Sequence, residues 1–222
     1  MLLKTIYCKV EEEKKELFSN AQGKWRDIRH LDGFHGQFGG WYEDEACVFT
    51  LWEDRSTYQS FMNGAHDTIY LNSNQEDTFL SCEIELFQTL YDITDTHLKD
   101  VVTEGSFVRV AICDVKVEKE NHFLQKQETI WNKGMEKAKG MLGGVVGKSL
   151  KNENRYIVLT YWKDEKTHQH YVEEIFPGLY KLANIHEEIE EIKGKQAVCK
   201  EEWLVSGQSH EKYNLISSRY MR

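Results

Sequence analysis

ACVFTLWEDRSTYQSFMNGAHDTIY, residues Ala46–Tyr70, decides the fold because the chain carries the pattern twice. The second copy is Tyr156–Tyr180, YIVLTYWKDEKTHQHYVEEIFPGLY. Laid on one another without gaps, the copies share seven residues: Val48/Val158, Thr50/Thr160, Trp52/Trp162, Asp54/Asp164, Thr57/Thr167, Gln59/Gln169 and Tyr70/Tyr180. Each opens with a β-branched and aromatic run, turns at Asp54 or Asp164, and continues with apolar residues at helical spacing, which reads as a strand followed by a helix. Self-similarity of this length marks a duplicated structural unit.

The flanks extend the repeat. Leu2–Val10 reads as a strand, and Glu11–Glu13 open a helix whose apolar stripe is Leu17, Phe18, Ala21, Trp25 and Ile28. Phe34–Tyr42 is a glycine-rich bent strand, Ala46–Trp52 a regular one. A second helix carries Tyr58, Phe61, Met62, Ala65 and Ile69, Leu71–Thr78 is irregular, and Ser81–Leu90 closes the unit as β-α-β-β-α-β, the ferredoxin-like order. In the second copy, Phe107–Val117, Gly143–Leu150, Tyr156–Trp162 and Ala197–Val205 are strands, and Asn121–Lys139 and Lys166–Phe176 are helices. Leu179–Ile192 reads as a further helix, with Leu182, Ile185, Ile189 and Ile192 on one stripe and acids opposite. Phe18/Phe123, Gln22/Gln127 and Trp25/Trp131 carry the duplication into the first helices. The expected organisation is residues 1–91, a linker over 92–105, residues 106–205, and a polar tail over 206–222.

One pattern sets how the halves combine. A ferredoxin-like sheet has helices on one face, and a wetted second face would alternate apolar and polar residues. VRVAICDVKV and CVFTLW are apolar on both parities, so the second face is covered, and the other half's sheet is the available cover. The fold class is therefore α+β: two tandem ferredoxin-like halves forming an intramolecular pseudo-dimeric α+β barrel.

Bulk properties narrow the function. At 222 residues the chain has room for two units of about 100 residues each. A net charge of −9 disfavours phosphate backbones and anionic lipid, so neither nucleic acid nor membrane is an expected partner. The five cysteines include no CxxC pair and sit singly in strand-like runs, where thiols act as small hydrophobes. MLLKTIYCKVEEE is too soon charged for a signal peptide, and no apolar run nears the roughly 20 residues of a membrane span. A reduced, cytoplasmic setting is the consistent expectation.

At the WED…YxxF…H segment the chain resembles the dimeric α+β-barrel superfamily, which includes the antibiotic-biosynthesis monooxygenases and haem-degrading monooxygenases. The resemblance is carried by Trp52-Glu53-Asp54, Tyr58, Phe61, His66 and Gly33-Phe34-His35-Gly36. In the second half it is carried by Trp162-Lys163-Asp164, His168, Tyr171 and Gly140-Met141-Leu142-Gly143. Within the superfamily it is similar to uncharacterised two-domain bacillus-type proteins. The resemblance implies a barrel built elsewhere from two identical chains, here fused, with a ligand cavity in each half between sheet and helices. It also implies cofactor-free oxygenation of an aromatic or enolic substrate. The haem-degrading pattern departs in type and spacing: Phe61 stands at its tryptophan position and His66 follows only five residues later.

Candidate chemistry concentrates in the first half. His66 is the candidate catalytic base, since imidazole titrates near neutrality, although a solvated helix histidine beside Asp67 is the plainer reading. Phe176 stands at its position in the second half. The candidate ligand contacts are His35, Trp41 and Tyr42 from HLDGFHGQFGGWY, Arg29 on the first helix, and Tyr58 and Met62 on the second. The recurring tryptophans, Trp25/Trp131 and Trp52/Trp162, read as core. His168 and His170 lie two apart on a helix and point away from each other, so they cannot share a metal. The Glu187-Glu188 and Glu190-Glu191 run reads as a solvated helix face. No metal, flavin or nicotinamide motif is present, so no cofactor is invoked. The expected partner is a small apolar or aromatic molecule, and a further homodimer is compatible with the sequence. A non-catalytic metabolite-binding or stress-related protein is the alternative.

Overall fold

The computed structural model describes residues 1–207, so the tail expected over 206–222 lies almost wholly outside the described residues. The first half runs β1 (Leu2–Lys9), α1 (Lys15–Gly23), β2 (Phe34–Tyr42), β3 (Glu45–Trp52), α2 (Arg55–Asn63), α3 (Ala65–Ser73) and β4 (Ser81–Asp92). A short α4 (Leu98–Val101) intervenes. The second half runs β5 (Phe107–Val115), α5 (Glu120–Lys126), α6 (Lys133–Glu136), β6 (Met141–Ser149), β7 (Arg155–Trp162), α7 (Glu165–Glu174), α8 (Phe176–Ala183) and β8 (Ile189–Cys199), and β9 (Val205–Ser206) ends the described chain.

The local chemistry of the duplicated stretch recurs. Asp54 and Asp164 cap α2 and α7, each accepting from the amide of the threonine three residues on at 2.8 Å. Gly33 and Gly140 have φ of +73° and +89°, and an added Cβ would lie 2.5 Å from Thr57 or Thr167, so each cap is packed against a glycine that cannot be replaced without strain. Trp52 and Trp162 donate to Thr50 and Thr160 at 3.1 and 2.9 Å.

Eight strands close in the order β3-β1-β4-β6-β7-β5-β8-β2 and back to β3, every pair antiparallel, with β9 continuing along β2. The halves meet edge to edge at β4–β6 and β2–β8. At the second seam Gly40 lets the backbones touch, since a Cβ there would collide with the Val198 carbonyl. Alternate residues account for the doubly apolar strands. Leu3, Phe49, Val110 and Leu159 point into the barrel, while Leu2, Val48, Ala111 and Val158 face the helices. Closure also removes the free edges that a lone sheet would present. Lys195 reaches Glu45 across the β2–β8 side, and Arg155 pairs with Asp114 and with Glu85 of the other half.

Several expectations need correction. The segment over 92–105 is more than a polar connector: Ile93, Leu98, Val101 and Val102 are buried, and the last three belong to the cluster that fills the barrel. The Tyr161 hydroxyl lies 3.0 and 2.8 Å from the carbonyls of Val102 and Gly105, fastening this plug. The helix expected over Leu179–Ile192 stops at Ala183, where Asn184 adopts a left-handed conformation (φ 44°), and Ile189 and Ile192 belong to β8. Leu182 is consequently exposed, as is Leu17 on α1. The expected second helix of the first half is broken at Gly64 into α2 and α3. Cys8 and Cys82, directly opposite on β1 and β4, form a disulfide, so these two are not the lone apolar thiols expected. Cys47, Cys113 and Cys199 are free. No helix among the described residues is long and apolar enough to cross a membrane.

Candidate functional site

Each half encloses a cavity between its sheet and its helices. The first-half cavity, about 240 Å³, is floored by Lys4, Thr50 and Trp52, walled by Gln22, Trp25, Phe61 and Gln75, and bounded on α3 by His66 and Tyr70. The second-half cavity, about 300 Å³, is floored by Arg109, Ala111 and Val158 and walled by Phe123, Trp131, Tyr171 and Phe176. Trp25 and Trp131, expected in the core, line these cavities; Trp52, which floors the first, and Trp162 are buried.

His66 sits in an aromatic nest: Phe61 is 5.4 Å away, Trp25 5.6 Å, and Tyr70 stacks at 6.1 Å with an interplanar angle of 8°. Its Nδ1 lies 2.8 Å from the Asp67 carboxylate. A carboxylate only accepts, so Nδ1 carries a proton toward Asp67, and in the neutral form of the ring Nε2 is the acceptor. Nearby, Trp25 Nε1 donates to Gln75 Oε1 at 2.8 Å, and Gln75 Nε2 donates to Gln22 Oε1 at 2.9 Å. This amide chain gives the first cavity a polar wall.

The other expected contacts are not gathered around His66. His35, Trp41, Tyr42, Arg29, Tyr58 and Met62 are absent from the cavity lining. His35 is near the barrel end, where burial and then Lys99 push its pKa down. Tyr42 packs against the barrel-filling cluster, and Trp41 stacks edge-on with Phe18 and Trp203. Arg29 is exposed on a 3-10 segment. Tyr58 and Met62 pack behind the cavity around Phe61, and the Tyr58 ring lies 5.5 Å from Lys4 Nζ.

The residues that sequence reasoning passed over are the two cations. Lys4 pairs with Thr50 across β1 and β3, and Arg109 pairs with Thr160 across β5 and β7, so they occupy the same position in the two repeats. Each faces the helices from an otherwise apolar strand, and each floors its cavity. Burial pushes Lys4 down to about 8. One basic residue inside VRVAICDV, matched by one inside LLKTIYC, was the signal available.

The surroundings of Arg109 are neutral. Burial pushes the thiol of Cys113 and the hydroxyl of Tyr171 up to about 12. His168, buried against Phe107 and Trp162, is pushed down to about 4 by burial and then by Arg109, so its imidazole is uncharged at neutral pH. His168 takes the Tyr58 position, and its exposed neighbour His170 points elsewhere.

At the rim of this cavity Glu188 is buried, contrary to the solvated helix face expected. It accepts from Lys126 at 2.8 Å and lies 2.7 Å from His122 Nδ1. His122, Glu187 and Glu188 offer donor atoms within 4.8 Å of one another, as a metal site would. The Lys126 ammonium, 2.8 Å from Glu188 and 3.4 Å from Glu187, takes the place of a cation among them.

The wall above Arg109 carries a one-residue insertion. Phe18 and Gln22 match Phe123 and Gln127 at one spacing, and Trp25 matches Trp131 at a spacing one residue longer. The extra residue is absorbed in a π-helical turn, Gln127–Asn132, where the first half has the 3-10 segment Lys24–His30. Such turns recur at functional sites.

Comparison with known proteins agrees with this duplicated architecture. Residues 2–87 match a domain of unknown function (DUF4937), and residues 106–174 match the antibiotic biosynthesis monooxygenase domain. The uncharacterized protein YdbC of Bacillus subtilis is 37% identical over 93 residues, 40% of this chain and 78% of YdbC. A candidate monooxygenase of Fusobacterium nucleatum superposes with a TM-score of 0.75 at 13% identity, covering 92% of this chain and 94% of its own. An anthrone oxidase-like protein superposes with a TM-score of 0.70 at 12% identity, covering 94% of this chain and 93% of its own. At such identities these two likenesses speak for the fold alone.

Proposed function

The chain belongs to the family of YdbC and carries, over residues 106–174, an antibiotic biosynthesis monooxygenase domain; we propose that it binds a small organic molecule and oxygenates it without a cofactor, and we place the reaction in the first-half cavity on the position of His66 rather than on that match. The observation that carries this reading is His66, held by Asp67 with Nε2 unencumbered, on the wall of a cavity that also holds a buried cation. The substrate class is an aromatic or enolic compound with an activated CH₂ or hydroxyl group. His66 takes the proton, and Lys4 lies in the same cavity to stabilise the resulting oxyanion. For a CH₂ group the balance is R₂CH₂ + O₂ → R₂C=O + H₂O, and for a hydroquinone it is C₆H₆O₂ + O₂ → C₆H₄O₃ + H₂O, giving the hydroxyquinone; in both the substrate supplies the electrons. The small, aromatic-walled cavity suits a planar ring system. The residues around His66 include none that the reaction as written requires to change oxidation state.

The test is O₂ uptake with anthrone and with hydroquinones, alongside tryptophan fluorescence. Uptake by the wild type should fall by about 10²-fold or more in His66→Ala, with the fold retained. Equal uptake in the variant removes His66 from the mechanism. Fluorescence quenching without uptake favours the second reading, a non-catalytic metabolite-binding protein. That reading draws on the larger cavity, which has Phe176 where the first has His66.

A further inference from the structure

The second-half cavity contains a charge with nothing to balance it. Arg109 projects from β5 into an apolar chamber, and among the described residues its guanidinium has no hydrogen-bond or ion-pair partner. The groups closest to it electrostatically, Tyr171, Cys113 and His168, are all uncharged at neutral pH. Two acids lie at the mouth: Glu188 is already committed to Lys126 and His122, and exposed Glu190 forms no ion pair with Arg109. A guanidinium keeps its proton under all ordinary conditions, so burial cannot relieve the cost by neutralising it. Proteins ordinarily pair such a charge, and an unpaired one in an apolar pocket destabilises the fold. An arginine kept there implies a counter-ion supplied from outside.

We propose that the second-half cavity is a binding site for an apolar carboxylate or comparable oxyanion, its acidic group engaging Arg109 and its hydrocarbon or ring body lying between Phe123, Trp131, Met135 and Phe176. The guanidinium fork accepts a carboxylate through two parallel hydrogen bonds, which fixes the head of the ligand at the floor. The aromatic and aliphatic walls take the body. At about 300 Å³ the chamber stands at the lower end of the roughly 300–1,000 Å³ usual for ligand pockets, which limits the body to one or two rings or a short chain. The first-half cavity differs on both counts. It is smaller, and its buried cation is the Lys4 ammonium, a point charge without the paired donors of a guanidinium. This assignment does not depend on oxygenation in the first half, and its test reads binding rather than turnover.

The probes are 1-naphthoate and its neutral analogue 1-naphthalenemethanol, titrated calorimetrically into the full chain. Naphthoate should bind at least about tenfold more tightly than the alcohol. Arg109→Met should erase that preference while leaving the alcohol's affinity in place, and Arg109→Gln serves as a second uncharged variant should the methionine form fail to fold. Arg109→Lys should retain part of the preference, and Lys4→Met all of it. His66→Ala should bind naphthoate as the wild type does. Equal affinity for the two probes, no binding of naphthoate, persistence of the preference in both uncharged Arg109 variants, or its loss in Lys4→Met would each overturn the proposal.

Discussion

In the first half Trp52 donates to Thr50 at 3.1 Å, Asp54 caps α2, and Gly33 leaves room for Thr57. In the second half Trp162 donates to Thr160 at 2.9 Å, Asp164 caps α7, and Gly140 leaves room for Thr167. A few ångströms away the agreement stops. His66 becomes Phe176, Tyr58 becomes His168, Lys4 becomes Arg109, and a 3-10 segment becomes a π-helical turn. The duplicated scaffold has kept its caps, its buried indoles and its strand pairing, while the linings have gone separate ways. The first cavity has an imidazole and a lysine, the second a phenylalanine and a lone guanidinium in their places. Two chemistries on one repeated frame is the lesson of the pair.

The comparison can be broken most severely at the scaffold. Trp52→Ala and Trp162→Ala should each cost about 3–5 kcal/mol in denaturant unfolding, because each deletes a buried indole and leaves its threonine partner unsatisfied. A large inequality between them would mean that the halves do not share the frame equally.

A smaller effect of opposite sign is expected at the cavity floors. Arg109→Met and Lys4→Met remove charges with no counter-ion, so both should raise Tm, by about 2–4 °C for each kcal/mol recovered. A fall would show that packing of the aliphatic stems outweighs the charge. For Lys4 the effect has a pH signature. Its folded-state value is lowered from 10.5 to about 8, so between those values the unfolded chain holds the proton and the folded chain does not. Stability from this group therefore rises as pH rises through that window, and the advantage of Lys4→Met should shrink from pH 8 toward pH 10. A gap constant across that range would contradict a buried, desolvated Lys4.

The smallest effect should come from the caps. Asp54→Ala and Asp164→Ala should each lower Tm slightly and equally. The threonine amides hold both carboxyls below their ordinary 3.8, so this contribution is present above that pH and is lost as pH falls below it. Thermal melts of the two variants at pH 7 and pH 3 would check both the equality and the loss.

The fold was largely legible because its signals are periodic. The lack of alternation in CVFTLW announced a covered second face, and the helical spacing of Tyr58, Phe61, Met62, Ala65 and Ile69 announced the helical segment that follows it. What periodicity did not reveal depends on distant partners. Ile189 and Ile192 fit a helical stripe, yet β8 pairs them along β5, where tertiary pairing overrides the local pattern. Cys8 and Cys82 are 74 residues apart in sequence, and only the β1–β4 register makes them neighbours. Leu98, Val101 and Val102 looked incidental in a polar stretch until the open barrel end gave them a place. The site was less legible than the fold. His66 was found because a histidine on an apolar helix stripe stands out. His35, Trp41, Tyr42 and Arg29 were grouped by nearness in sequence, which β2 and the 3-10 segment disperse in space. Lys4 and Arg109 were hidden because one charge in a strand reads as an ordinary solvent-facing residue until the helices are seen to cover it.

The plug made by Leu98, Val101 and Val102 belongs to a covalent tether between the two sheets. Where such a barrel is assembled from separate molecules, dilution can take it apart, and twofold symmetry obliges both chambers to change together. A tether makes closure a unimolecular event at an effective concentration in the mM range, whatever the abundance of the protein. The two chambers then become independent genetic loci, so a substitution that refines one leaves its sibling untouched.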